Sequence, residues 1–256
     1  MKIPQVQAHR GYSGRYPENT LLAFEKAIEA GARQIELDIR PAKDGTVFVL
    51  HDATVDRTTD GSGPLHALSA GEVRALDAGA WFDPKFRGER VPTLAEALDQ
   101  LKGRVRVNIE VKVAHTPLPL VQQAIDTALD TVAERGMFGE VVFSSFSLDA
   151  LYWVKRLHPR AEVALLDWDR ETYLDRQRSV VALGGGGWFP HPTLATPERV
   201  RTAHERGLFV VSGGGNDPKT RLESVRRLCE AGVDYISTNF PAEVAETLRA
   251  IAATQS

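Results

Sequence analysis

The sequence predicts a (β/α)8 barrel, in which eight parallel strands form a closed sheet surrounded by helices. Short β-branched runs recur along the 256 residues, and segments with helical periodicity separate most of them. Strands that alternate with helices pair in parallel, because each helix returns the chain to the same edge of the sheet. About eight such units fit into this length, which favours a closed barrel over an open sheet.

The strand predictions follow from short runs that are rich in β-branched and aromatic residues. They are IPQVQA from Ile3, QIELDI from Gln34, VRVNIEV from Val105, EVVFSS from Glu140, AEVALL from Ala161, SVVAL from Ser179, LFVVS from Leu208 and DYIS from Asp234. Glycine runs at 184–187 and 213–215 have neither the spacing of a dinucleotide-binding fingerprint nor that of a P-loop. We therefore expect turns at strand ends there, without a nucleotide cofactor.

Helices are predicted where apolar residues recur every three or four positions. In TLLAFEKAIEAG, Leu21, Phe24, Ala27 and Ile28 share one face, and Gly31 can end the helix in the left-handed conformation. The segment TRLESVRRLCEAG ends in the same way.

Two features interrupt the alternation. After Asp38, the sequence RPAKDGTVFVLHD turns at residues 43–45 and extends again, with too few residues for a parallel crossover, so we expect a hairpin that brings His51 almost opposite Asp38. Residues 53–90 are rich in Gly, Pro and Asp and have no clear period before a helix resumes in PTLAEALDQL. We interpret them as a small cap-like insertion over one barrel end, within a single domain of residues 1–256.

Composition excludes several classes of protein. The net charge of −3 gives no positive field for nucleic acid. Cys229 is the only cysteine, so an internal disulfide or a multi-cysteine metal site is impossible. No apolar run reaches the roughly 18 residues of a membrane span, and the N-terminus does not resemble a signal peptide. We expect a cytoplasmic protein without an integral membrane segment; the oligomeric state is not readable.

Carboxylates mark the ends of two predicted barrel strands. Glu36 and Asp38 are two residues apart, so both point into the barrel, and Glu110 and Lys112 repeat this spacing on the next barrel strand. Three converging oxygen donors suit Mg²⁺ or Ca²⁺ better than zinc or copper. Since buried charge must be compensated, a salt-bridge layer in the barrel is the alternative.

His9 and Arg10 follow the first strand and His51 follows the hairpin, so all three can face the same mouth. Two histidines beside a cation can divide the roles of acid and base, while Arg10 and Lys112 hold an anion. Phosphoryl transfer requires such a set of groups. A structural role is expected for the histidines at 66, 115, 158 and 204.

Motifs along nearly the whole chain resemble the glycerophosphodiester phosphodiesterase family. They are HRG at 9–11, PENT at 17–20, FEKAIEAGARQIELDI from Phe24, KDGTVFVLHD from Lys43, DAGAWF from Asp77, VPTLAEAL from Val91, NIEVK from Asn108 and FSSF from Phe143. The ordered combination of HRG, PENT, IELD and HD is highly specific. The resemblance implies a TIM barrel with a small insertion after the HD motif.

The family hydrolyses small glycerophosphodiesters to glycerol 3-phosphate and an alcohol, with a divalent cation, Mg²⁺ or Ca²⁺, as cofactor. By motif position, the resemblance implies metal ligands at Glu36, Asp38 and Glu110 and an acid/base pair at His9 and His51. It also implies phosphate contacts from Arg10 and Lys112, and an orienting role for Glu18 in PENT.

The chain departs from the family pattern near its C-terminus. VVSGGGN at 210–216 stands where the family usually shows Trp-Thr-Val-Asn, and STNFP at 237–241 where it commonly shows Thr-Asp before a proline. Trp168, Trp188 or Phe189 could replace the missing apolar wall. Two alternatives stay open: a lysophospholipase D-like activity on a lipid, which would favour an exposed apolar patch at the mouth, and a catalytically silent barrel that binds glycerophosphodiesters.

Overall fold

A closed barrel of eight parallel strands forms the centre of the computed structural model, which describes residues 2–254. The barrel strands are β1 (Gln5–His9), β2 (Gln34–Pro41), β4 (Arg106–Val111), β5 (Val141–Ser145), β6 (Glu162–Asp167), β7 (Gly187–Pro190), β8 (Phe209–Gly213) and β9 (Tyr235–Thr238). They follow one another around the barrel, and β1 pairs with both β2 and β9 to close it. The predicted (β/α)8 fold is confirmed.

Helices surround the barrel and pack their apolar faces on its outside. They are α1 (Leu21–Glu29), α3 (Leu94–Leu101), α4 (Leu118–Glu134), α5 (Leu148–Leu157), α6 (Tyr173–Ala182), α7 (Pro197–Glu205), α8 (Arg221–Ala231) and α9 (Pro241–Ala253), whereas α2 (Ala70–Ala75) lies in the insertion after the hairpin. Gly31 and Gly232 follow α1 and α8 with φ of +83°, as their glycine-ended patterns predict. Within residues 2–254, no helix combines the length and apolarity that a bilayer span needs.

The strand predicted from SVVAL at 179–183 is wrong, because these residues end helix α6 instead. Their β-branched side chains favour a strand locally, but Val180 and Gln177 lie on one buried helix face. Strand β7 is the next segment, GWFP, which begins inside the tetraglycine. A Cβ at Gly187 would approach the Ala164 Cβ to 2.7 Å, so packing inside the barrel requires glycine there.

The strands bury two different faces. Outward residues such as Ile35, Leu37 and Ile109 pack against the helices in the main core. A smaller apolar cluster of Val142, Ala164, Phe189 and Val211 fills part of the interior. The rest of the interior is polar, with the buried side chains of Gln7, Gln34, Glu36, Asn108 and Ser144. Because the side-chain period of a strand is two, this polar face continues to the carboxyl end of the barrel.

The predicted hairpin is present. Strand β3 (Val47–Val49) pairs antiparallel with the end of β2, and Gly45 takes a φ of +84° in the turn. Leu50 donates its backbone N–H to the Asp38 carbonyl, so His51 lies one residue beyond the position opposite Asp38. This register brings His51 to the mouth of the barrel.

Residues 53–90 contain α2 and two short 3-10 helices, Leu65–Ala67 and Pro84–Phe86. Their apolar side chains form a cluster with Phe48 and Leu50 of the hairpin that is separate from the main core. The insertion is thus anchored on the hairpin.

Candidate active site

Three carboxylates meet where β2 and β4 run side by side. Asp38 pairs with Glu110, and Glu36 with Asn108 one layer deeper, so the four inward side chains form two adjacent rows. Ligand oxygens of Glu36, Asp38 and Glu110 lie within 4.8 Å of one another, and all three residues are buried. The two-residue spacings thus bring together all three predicted metal-ligating residues.

Two cations partly compensate this charge. The Lys112 ammonium lies 2.5 Å from Glu110 Oε1 and 3.0 Å from Asp38 Oδ1, and the Arg10 guanidinium lies 3.2 Å from Asp38 Oδ2. Glu36 accepts the backbone N–H of Arg10 with Oε2, but its Oε1 is buried without a hydrogen-bond partner. Salt bridges and a potential cation site therefore coexist here, with Glu36 as the carboxylate that lacks a compensating cation.

The pKa values follow this distribution of charge. Burial, and next the Asp38 carboxylate, raises the pKa of Glu36 to about 8. The same two causes raise the pKa of Glu110 to about 7. Burial alone would raise the pKa of Asp38, but Lys112 and Arg10 outweigh it and hold that pKa below its usual range. The donor set therefore fits a divalent cation, which would supply the positive charge that two cations cannot give to three carboxylates.

His51 is held by charged partners. Its Nδ1 lies 2.6 Å from Asp52 Oδ1, and Arg57 of the insertion donates to the other carboxylate oxygen of Asp52 at 2.5 Å. The buried guanidinium of Arg40 donates to the His51 carbonyl at 2.8 Å. A carboxylate at Nδ1 keeps a proton on that nitrogen and leaves Nε2 free for proton transfer. Burial lowers the pKa of His51; the Asp38 carboxylate opposes this shift, and Arg10 adds to it.

His9 has a neutral partner instead. Its Nδ1 lies 2.8 Å from Asn239 Oδ1, and its Nε2 is 3.9 Å from Glu36 Oε2. The Asn239 backbone N–H in turn donates to the side chain of Asn216 at 2.8 Å. Burial, and next Arg10, lowers the pKa of His9. The two histidines thus face the same cavity with different supporting groups.

The loop after β1 places Arg10 against the acidic cluster. Arg10 has a φ of +57°, which is rare for a residue with a side chain, and Asn19 has a φ of +58°. Asn19 donates to Asp38 Oδ2 at 2.8 Å, and Arg10 donates to Glu18 Oε1 at 3.0 Å. Glu18 also accepts two bonds from Arg57 at 2.8 and 3.0 Å, so it links Arg10 to the partner of Asp52.

A cavity of about 310 Å³ opens at this end of the barrel. His9, Arg10, His51 and Lys112 line its charged side. The opposite side is apolar and aromatic, with Phe146, Leu166, Trp168, Phe189, His191 and two prolines. Trp168 and Phe189 therefore both line the cavity, Trp168 exposed at the mouth and Phe189 buried in the barrel interior, whereas Trp188 is fully buried away from the cavity and donates to Asp167.

Several supporting residues were not predicted from the sequence. Asp52 is the second residue of the HD motif and Asn19 the third of PENT, so their motifs could have indicated them. Arg57, Asn239 and His191 belong to none of the motifs. Asn239 contacts His9 across 230 positions of the chain, and Arg57 contacts Glu18 across 39.

Comparison with known proteins identifies the family of this chain. The model of the glycerophosphoryl diester phosphodiesterase family matches residues 9–243. A glycerophosphodiester phosphodiesterase of Caldanaerobacter subterraneus subsp. tengcongensis is 34% identical over 247 residues, covering 95% of this chain and 97% of the relative. One from Bacillus subtilis is 32% identical and covers 91% of this chain and 83% of the relative.

Solved structures show the same fold. The crystal structure of a glycerophosphodiester phosphodiesterase from Agrobacterium tumefaciens has a TM-score of 0.82 at 28% identity, covering 95% of this chain and 99% of that chain. A phosphodiesterase from Oleispira antarctica, in complex with the product sn-glycerol-3-phosphate, has a TM-score of 0.85 at 26% identity, covering 96% and 97%. Because the family model matches residues 9–243 and a relative is 34% identical over nearly its whole length, this chain belongs to the glycerophosphoryl diester phosphodiesterase family of enzymes.

Proposed function

We propose that this enzyme hydrolyses small glycerophosphodiesters to glycerol 3-phosphate and an alcohol, using a divalent cation and the histidine pair. The observation that carries the proposal is the convergence of Glu36, Asp38 and Glu110 in one cavity with His9 and His51. The relatives named glycerophosphodiester phosphodiesterase and the glycerol 3-phosphate complex of a structural neighbour support this substrate class.

Glu36, Asp38 and Glu110 would hold the cation, and Mg²⁺ or Ca²⁺ suits their oxygen donors. When bound, such a cation supplies positive charge that stabilises the non-bridging oxygens of the phosphate. The unpartnered Oε1 of Glu36 supports this assignment, since a buried carboxylate oxygen without a donor is costly.

Arg10 and Lys112 orient the phosphate. Both cations line the cavity, and both lie beside Asp38, which fixes their positions before substrate arrives. Glu18 contributes indirectly, because it holds the Arg10 guanidinium at 3.0 Å. Preorganised cations of this kind stabilise the charge that develops on the phosphate in the transition state.

His9 and His51 divide the proton transfers. One removes a proton from the nucleophile, which is water or the 2-hydroxyl of the glycerol, and the other gives a proton to the alkoxide that leaves. With the glycerol hydroxyl as nucleophile, a cyclic phosphate forms first and water then opens it. Either route breaks the bond between phosphorus and the alcohol oxygen.

The test uses protein stripped of metal by chelation and incubated with glycerophosphocholine or glycerophosphoethanolamine, with and without Mg²⁺ or Ca²⁺. We expect glycerol 3-phosphate only when a cation is added. Absence of the product under every cation would contradict the proposal and favour a barrel that only binds glycerophosphodiesters.

A lipid substrate is the second candidate, and two observations favour it. Phe146 and Trp168 at the mouth are exposed, and an apolar groove of about 250 Å³ near Leu118 lies between α4 and α5. Including lysophosphatidylcholine in the same assay distinguishes the two, because only a lysophospholipase D-like enzyme would release choline from it.

A further inference from the structure

Three aromatic rings form an open box on the side of the cavity that faces the charged residues. The rings of Phe146 and Trp168 are 5.1 Å apart at 80°, and those of Trp168 and His191 are 5.5 Å apart at 78°. All three residues line the cavity. We call Phe146, Trp168 and His191 the aromatic box.

The box is not explained by packing. Trp168 is 66% exposed and Phe146 is 41% exposed, although large aromatic side chains normally gain by burial. They come from separate loops, after β5 and β6, and still meet edge to face at the rim. Exposed aromatic groups gathered at the mouth of a cavity are typical of a ligand subsite.

The two carbocyclic and indole faces of the box are uncharged. Phe146 and Trp168 carry no ionisable group, and His191 is held in place by Thr193, whose hydroxyl lies 3.0 Å from Nδ1. Arg176 reaches the Phe146 carbonyl, but it is paired with the buried carboxylate of Asp167 at 2.8 Å. The faces of Phe146 and Trp168 can therefore accept a cationic ligand.

The charged residues of the loop that carries Trp168 are engaged elsewhere. In the exposed stretch DRE at 169–171, the Asp169 carboxylate accepts from the backbone of Glu171 and Thr172 and from the Thr172 hydroxyl. The guanidinium of Arg170 contacts the Thr193 hydroxyl at 3.4 Å and is screened by solvent. The aromatic faces, rather than a carboxylate, are therefore the groups that the box offers to a ligand.

The polar groups deeper in the cavity indicate where the glycerol part of the substrate binds. Gln7 Oε1 and Asn108 Oδ1 are buried without hydrogen-bond partners, and both residues line the cavity below the histidine and the carboxylates of their strands. Hydroxyl groups of a glycerol can donate to these oxygens. With the glycerol held inside, the alcohol part of the diester extends to the rim and meets the aromatic box.

We propose that the aromatic box binds the alcohol part of the substrate and selects one that carries a quaternary ammonium group. A trimethylammonium has no N–H to donate and is attracted by the faces of aromatic rings, whereas a primary ammonium prefers carboxylate or carbonyl acceptors. This inference rests on the proposed hydrolysis of glycerophosphodiesters and extends it to a substrate preference.

The test compares kcat/KM for three esters of glycerol phosphate: choline, ethanolamine and 3,3-dimethylbutanol, the uncharged carbon analogue of choline. The wild-type enzyme should prefer choline to both others. Trp168→Leu keeps an apolar side chain but removes the ring, and it should lower the choline-to-ethanolamine ratio by roughly 3- to 30-fold. Trp168→Phe should restore most of the ratio. Leu157→Ala, which removes an exposed apolar side chain at the far end of α5, is the matched control and should leave the ratio as in wild type.

Binding is measured separately from hydrolysis. Saturation-transfer NMR on the methyl protons of free choline should show contact with the wild-type protein and a weaker signal with Trp168→Leu. An unchanged choline-to-ethanolamine ratio in Trp168→Leu, or equal turnover of the choline and dimethylbutanol esters, would overturn the proposal. If no ester is hydrolysed, the proposed function fails, and the choline signal still decides whether the box binds the ammonium.

Discussion

Replacing Asp52 by asparagine removes one negative charge behind His51 while keeping an oxygen that can accept from Nδ1. In the structure, Asp52 Oδ1 lies 2.6 Å from His51 Nδ1, and Arg57 donates to the other oxygen at 2.5 Å. Burial acts to raise the pKa of Asp52, but Arg57 and His51 outweigh it, so this pKa is lowered and the group is ionised at neutral pH.

The magnitude follows from the kind of hydrogen bond that is lost. A bond to a charged group contributes about 1.5–3 kcal/mol, and a neutral one about 1 kcal/mol. Because the side chains of Asp52 and His51 are 28% and 31% exposed, solvent reduces the difference to about 1 kcal/mol. Asp52→Asn should therefore lower kcat by roughly fivefold. Asp52→Ala, which also frees the ring, should lower it further.

Steady-state kinetics on glycerophosphocholine with saturating Mg²⁺ measures this effect, and NMR or circular dichroism confirms the fold. The matched control is Asp175→Asn, which removes an exposed carboxylate on α6. A kcat within twofold of wild type in a folded Asp52→Asn, or a change confined to KM, would refute the idea that Asp52 supports proton transfer by His51.

Further outcomes are expected from other changes. His9→Ala and His51→Ala should differ in their dependence on the leaving group. The variant that lacks the general acid should hydrolyse glycerophosphocholine roughly 10²- to 10⁴-fold more slowly and largely keep its activity on a nitrophenyl diester, whereas the variant that lacks the general base should be slow on both. If each variant loses activity equally on the two substrates, the roles are not divided. Glu36→Gln should weaken Mg²⁺ or Ca²⁺ binding by roughly tenfold or more with the fold intact, and unchanged calorimetric affinity would favour a purely structural salt-bridge layer. Replacing residues 54–88 by a short linker should leave a cooperative thermal transition, because their apolar cluster is separate from the barrel core, but should abolish activity or selectivity; a molten chain would show that the segment belongs to the core. Asp234→Asn should lower the free energy of unfolding at pH 7 by about 1 kcal/mol and reduce the acid sensitivity of Tm. Burial acts to raise the Asp234 pKa, but hydrogen bonds from Lys2, Val210 and His204 outweigh it and lower that pKa, so the wild type has this stabilisation above the unfolded-state pKa of ~3.9 and loses it as the pH falls through the folded-state pKa. Parallel curves of Tm against pH for the two proteins would contradict this.

The sequence by itself determines the barrel and the charged side of the cavity. Alternating strands and helices predict parallel closure, and the two-residue spacings of Glu36 with Asp38 and of Glu110 with Lys112 direct these side chains inward. The short turn after β2 predicts the hairpin that carries His51. These inferences succeed because each depends on a local period or on a short connection, which neighbouring residues encode directly.

Only the tertiary structure decides which groups hold the predicted site residues in place. Asn239 contacts His9 across 230 positions of the chain, and Glu18 meets Arg57 across 39. The same applies to β7, where GWFP is too short and too close to the glycine run to stand out as a strand, and pairing with β6 on one side and β8 on the other defines it. Closure of the barrel and packing of the insertion on the hairpin create these contacts. The pattern of apolar and polar residues within one segment does not predict them.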